Sequence, residues 1–154
     1  MPGAHAAVYP LAGLKALVTG CALAMSLAGT ALGADFTISP TSIRVAAGNQ
    51  IATLTVKAGG PGLTFGQVRV MRWMRNTGDD TLIATRDVVA SPPALQMAPD
   101  QELTIRLVRV IKTPIRGEEC YRVLVDQLPG DSQAGQAVMF TIRHSVPLCF
   151  GSAP

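Results

Sequence analysis

The stretch ELTIRLVRVI, residues 102–111, decides the fold class. Leu103, Ile105 and Leu107 alternate with Thr104 and Arg106. A period of two places alternate side chains on opposite faces of a strand, whereas a helix would repeat its apolar positions every three or four residues. IATLTVKA (51–58) repeats the pattern, with Leu54 and Val56 on one side and Thr53, Thr55 and Lys57 on the other. Similar β-branched runs are DFTISP, SIRVA, TFGQVRVMRWM, LIATRDVVA, CYRVLVDQL and AVMFTIRHSVPL. Turn-forming clusters separate them: AAGNQ, AGGPG, NTGDD, SPP, APDQ, TPIRGEE and PGDSQAGQ. No amphipathic helix, internal repeat or low-complexity tract follows residue 33. Seven or eight short strands in such a length predict an all-β, immunoglobulin-like antiparallel β-sandwich.

The first 33 residues have a different composition. They hold no acidic residue and one basic residue, Lys15, followed by the uncharged run ALVTGCALAMSLAGTALG. Ala31 and Gly33 put small residues at the −3 and −1 positions of a cleavage site, the order of a secretory signal. A membrane anchor fits less well, because the run is rich in Gly and Ala and lacks a basic flank downstream. VTGC (18–21) resembles a lipoprotein box, but it lies too close to Lys15 to leave an apolar region. The expected division is therefore a signal peptide over 1–33 and one domain over 34–154, with export to the periplasm. The exported part keeps twelve basic and ten acidic residues, a net charge of +2, which gives no reason to expect nucleic acid. Cys120 and Cys149 remain, and an oxidising compartment permits a disulfide.

Chemistry-bearing motifs are sparse. His144 is the one histidine after residue 33, and neither CxxC nor HExxH occurs, so no metal site is expected. There is no GxSxG, no Cys–His relay and no glycine-rich loop leading into a helix, so neither an enzyme, a cofactor nor a small-molecule substrate is expected. Asp79 and Asp80 fall at a turn, where solvation explains them. Trp73, mid-strand, is expected in the core.

Taken in order, Arg72-Trp73, Ser91-Pro92-Pro93, Ala98-Pro99, Arg106 to Arg109, and Tyr121-Arg122 running to Leu128-Pro129 resemble the N-terminal domain of periplasmic pilus-assembly chaperones, the PapD-like family of chaperone–usher systems. ISPTSIRV is similar to that family's first strand, and the order holds over residues 35–148. The resemblance implies pilin subunits as partners, with an outer-membrane usher once a second domain is supplied. It also implies a mechanism, in which the G strand is lent to a pilin that lacks its last strand. Val138, Phe140 and Ile142, on one face of AVMFTIRHSVPL, correspond to the donor positions, and packing into the chain's own core is the other reading.

The family grips the pilin's terminal carboxylate with basic residues, which a buried carboxylate requires. Here Ser42 takes the first-strand position and Pro147 the G-strand position. Arg44, two residues on, and Arg122 on the F strand are the candidate replacements. An F–G hairpin around residues 130–136 would bring Cys120 and Cys149 together, as a disulfide or as two free thiols. Family members continue into a second sandwich, whereas this chain ends at Pro154. The alternatives are an immunoglobulin-like structural or adhesive module and a truncated, non-functional remnant.

Overall fold

Ten strands form two sheets in the computed structural model, which describes Gly3 and residues 36–75, 79–129 and 141–151. In chain order they are β1 (Phe36–Ser39), β2 (Ile43–Val45), β3 (Ile51–Ala58), β4 (Thr64–Arg75) and β5 (Asp80–Ala84), then β6 (Val88–Ser91), β7 (Ala94–Met97), β8 (Glu102–Arg109), β9 (Glu119–Leu128) and β10 (Arg143–Phe150). The first sheet runs β1-β3-β8-β6 and the second β2-β10-β9-β4-β5, with β7 also paired to β4. All pairs are antiparallel except β2 with β10.

The alternation in the sequence becomes the two inner faces. Leu54, Val56, Ile105 and Leu107 are fully buried from the first sheet. Val68, Val70, Val123, Val125, Val146, Leu148 and Phe150 meet them from the second. Each such burial contributes about 1.5–3 kcal/mol. Tyr121 and Phe150 close one end edge-to-face, with ring centroids 6.0 Å apart.

Three features differ from the sequence reading. The run LIATRDVVA is two strands, not one. It breaks at Thr85–Asp87, where the Asp87 amide donates to Thr85 Oγ1 and the Asp87 carboxylate is drawn to Arg72. The chain then crosses to the other sheet. A short strand, β7, lies between the turns SPP and APDQ, its alternation confined to Leu95 and Met97, both buried. Trp73 is not a core residue. Val68 and Val70 fix the inward face of β4 at even positions, so odd-numbered Trp73 lies on the outward face.

One close approach between the sheets depends on a missing side chain. A Cβ at Gly66 of β4 would lie 2.8 Å from the Phe36 ring and 3.2 Å from the Asp126 carbonyl oxygen. The absent side chain is what lets Phe36, from the first sheet, seat its ring against the second.

Candidate functional site

β10 is paired unevenly. β9 accompanies it from Arg143 to Phe150, but β2 covers its other edge only at Leu148–Phe150. Among the described residues, no strand pairs with that other edge between Arg143 and Pro147. An exposed strand edge carries backbone donors and acceptors available to another chain. Just before β10, the Ile142 carbonyl accepts from the Gln127 amide at 3.0 Å, so pairing with β9 reaches one residue further.

The edge faces a groove. β1 belongs to the other sheet, and the space of about 340 Å³ between it and β10 is lined by Phe36, Ile38, Thr41, Ser145 and Val146 among others. The switch of the opening segment from the first sheet (β1) to the second (β2) leaves this gap, and a cis peptide bond at Ser39–Pro40 marks the crossing. Ile142, one of the three expected donor residues, is 39% exposed, just ahead of β10. Val138 and Phe140 lie outside the described residues. The strand also runs past the expected end at Leu148, through Cys149 to a fully buried Phe150.

The two candidate anchors come to the same outward face of the second sheet. Arg44 is exposed on β2 opposite Cys149, and Arg122 on β9 lies opposite Pro147. The Arg122 guanidinium stacks on the Trp73 ring at 3.9 Å from its centroid, and Arg75 approaches the same ring at 4.9 Å. Such contacts hold a long cationic side chain in place while keeping its charge. The Trp73 Nε1 is buried and has no hydrogen-bond partner among the described residues.

Cys120 and Cys149 are directly opposite in register, with Cα atoms 4.1 Å apart, and their sulfurs are bonded. Glu118 lies close enough to suggest a metal-binding trio, but the disulfide takes both thiolates.

At the Arg143 end of the free edge, Asp126 joins two strands. It accepts from Arg69 of β4 at 2.7 and 3.0 Å and from Arg143 of β10. Burial pushes its carboxyl up, but the two arginines outweigh this and hold it below the usual carboxylate range.

At the opposite end of the sandwich is a network that sequence reading missed. Arg109 is 1% exposed and donates to both oxygens of Glu119 at 2.9 and 3.0 Å, and to the carbonyls of Ile111 and Thr113. The Tyr121 hydroxyl donates to Glu119 and accepts from Arg72, which also donates to Asp87 at 2.7 Å. The hydrogen bond from Arg72 holds the Asp87 carboxyl below its usual range against the effect of burial, and burial pushes the Tyr121 phenol up. The parity of RLVR was the available signal: Arg109 shares its face with Ile105 and Leu107.

The family model described as "Pili and flagellar-assembly chaperone, PapD N-terminal domain" matches residues 35–151. No curated protein matches by sequence. The fold is similar to a chain in the CsuC–CsuE chaperone–tip adhesion subunit pre-assembly complex from archaic chaperone–usher Csu pili of Acinetobacter baumannii, at TM-score 0.65 and 23% identity over 75% of this chain and 56% of that one. It is similar also to the class 5 fimbriae chaperone CfaA, at TM-score 0.63 and 18% identity over 75% and 55%. A chain in the Salmonella enterica SafA pilin–SafB chaperone complex matches at TM-score 0.61 and 20% identity over 75% and 53%. The chain thus spans a little over half the length of these structures.

Proposed function

The chain belongs to the pili and flagellar-assembly chaperone family through its PapD N-terminal domain, and on that premise we propose that it is a periplasmic chaperone that binds pilin subunits by strand complementation along β10. Residues 1–33 serve as the export signal, and 34–154 as the pilin-binding domain. Contact with an outer-membrane usher belongs to the same proposal. The observation that carries it is the open edge of β10 at Arg143–Pro147, set beside an apolar groove.

A pilin strand added there forms backbone hydrogen bonds along the edge, and its alternate side chains enter the groove. Val138, Phe140 and Ile142 extend the same run as the donated side chains, each contributing about 1.5–3 kcal/mol of burial before ordering costs. Arg122, with Arg44, receives the pilin's terminal carboxylate by charge-assisted hydrogen bonds. The direction of the added strand follows. β10 runs from Arg143 towards Phe150, and the two arginines sit at the rows of Pro147 and Cys149. A strand whose last residue reaches them therefore runs parallel to β10.

The test is co-expression with a pilin subunit and recovery of the complex on a tagged chaperone. Phe140→Asp and Arg122→Glu are expected to reduce pilin recovery several-fold, Phe140→Asp at unchanged chaperone melting temperature and Arg122→Glu with only the loss of the Trp73 stacking, about 0.5–1 kcal/mol. Equal recovery by wild type and Phe140→Asp refutes the donor strand, and equal recovery with Arg122→Glu refutes the anchor alone.

A further inference from the structure

We infer that Trp73 is the positioning residue of the carboxylate anchor: its indole holds the Arg122 guanidinium in place for the terminal carboxylate of an added strand. The inference rests on pilin binding at the β10 edge and assigns a further residue to it.

Among the described residues, four arginines are at least partly buried: Arg69, Arg72, Arg109 and Arg122. Three are matched by a carboxylate within the fold, Arg69 by Asp126, Arg72 by Asp87 and Arg109 by Glu119. Arg122 makes no ion pair among the described residues. A half-buried cation without an acid loses hydration and gains no counter-charge. What Arg122 has is an aromatic face, with the Trp73 centroid 3.9 Å from its guanidinium carbon. A ring face attracts a cation without neutralising it. Stacking also occupies only the flat side of the guanidinium and leaves its in-plane N–H donors for a carboxylate. Arg75 approaches the same ring at 4.9 Å, but its charge is already matched by Glu118. Of the two cations on the indole, Arg122 is the one left to take an acid from outside.

The placement of the tryptophan agrees. A large aromatic ring is ordinarily buried in a sandwich core, yet Trp73 stands on the outward face of β4. Its Nε1 has no hydrogen-bond partner among the described residues, so the ring is not turned outward to satisfy its own N–H. Opposite Arg122 on β10 is Pro147, whose compact ring puts no long side chain between the guanidinium and the row of β2. Arg44, the other anchor candidate, is exposed, and neither a carboxylate nor a ring holds it among the described residues. An arginine ordered before its guest arrives has less side-chain freedom to lose on binding.

The test is isothermal titration calorimetry of the purified protein with two synthetic peptides of alternating valine and threonine, identical except for a free or an amidated C-terminus. The wild type should bind the acid roughly tenfold more tightly than the amide. Trp73→Leu is expected to cut that preference to about two- to threefold while amide affinity stays unchanged. Trp73→Phe keeps a ring face and should retain most of the preference. Arg122→Lys keeps the charge but offers no flat side to the ring, and should behave like Trp73→Leu. Unchanged amide affinity shows that the fold and the β10 edge survive each substitution. A Trp73→Leu protein with the full wild-type preference overturns the inference and leaves pilin binding standing. So does one that loses acid and amide affinity equally, which would make Trp73 a support of the sheet alone. A wild type that binds both peptides equally removes the anchor and the inference with it, and one that binds neither removes the β10 edge as well.

Discussion

Replacing Glu119 with Gln tests the logic of the buried network most sharply. Arg109 is 1% exposed and cannot lose its proton in a protein, so its charge must be answered inside the fold. Glu119 answers it through two hydrogen bonds of 2.9 and 3.0 Å, and the carbonyls of Ile111 and Thr113 take two more N–H groups. Glutamine keeps the shape, removes the negative charge and turns one acceptor into a donor facing a donor. Removing one partner of a buried pair costs about 3–5 kcal/mol. The two carbonyls remain, and the Glu119 side chain is 17% exposed, which places the cost near the lower end. With a urea slope of about 1.5 kcal/mol per molar, a loss of about 3 kcal/mol moves the midpoint down by about 2 M. Equilibrium urea unfolding under oxidising conditions reads this directly. The double replacement Arg109→Met/Glu119→Leu should recover most of the loss, because no charge is then stranded. A Glu119→Gln protein within about 1 kcal/mol of wild type, at unchanged slope, would refute the claim that this carboxylate supports the buried arginine.

Other expectations follow from single features. Reducing the Cys120–Cys149 bond, which spans a sequence separation of 29, should cost about 3–4 kcal/mol by loop-closure entropy, measured as the urea midpoint with and without reductant. Gly66→Ala should destabilise by about 1–3 kcal/mol through the Phe36 ring, and Phe36→Leu in the same background should relieve part of that strain, both read by thermal melting. The Asp87 carboxyl is held below its unfolded value, so the stability it adds is present above about pH 4 and is lost as pH falls through the folded value. Asp87→Asn should therefore flatten the acid limb of a stability–pH profile, and an unchanged limb would count against the Arg72–Asp87 pair.

The sandwich was legible because its core strands keep strict parity: Leu54, Val56, Ile105 and Leu107 all point inward as their alternation requires. Parity was also the signal for what was misread. RVMRWMR is apolar on both faces, so aromatic character suggested burial for Trp73, while the valines at 68 and 70 assign it outward. Arg109 lies on the inward face by the same count, but nothing local reveals that Glu119, on another strand, would meet it. At the break over Thr85–Asp87 the Asp87 side chain reaches across to Arg72, a contact between residues 15 apart. Register decides whether Cys120 meets Cys149 and whether Arg44 shares a face with Arg122, and register depends on how strands dock, not on composition. The open edge of β10 was least legible of all, since it is a property of the neighbours a strand lacks.

The three residues of β2 act as a stop on a ruler. They fill the β10 edge from Leu148 onward, so an incoming strand lying in the same row must end where Ile43 begins. Within β10 the open row runs from Arg143 to Pro147, which at about 3.3 Å per residue is roughly 17 Å. Under the proposed function, a guest would be measured from its last residue backward, with its register set by an end point as well as by the fit of its side chains. Lengthening β2 by even two residues towards Pro40 would shorten the open row and, under the proposed function, shift the register of an added strand by the same amount.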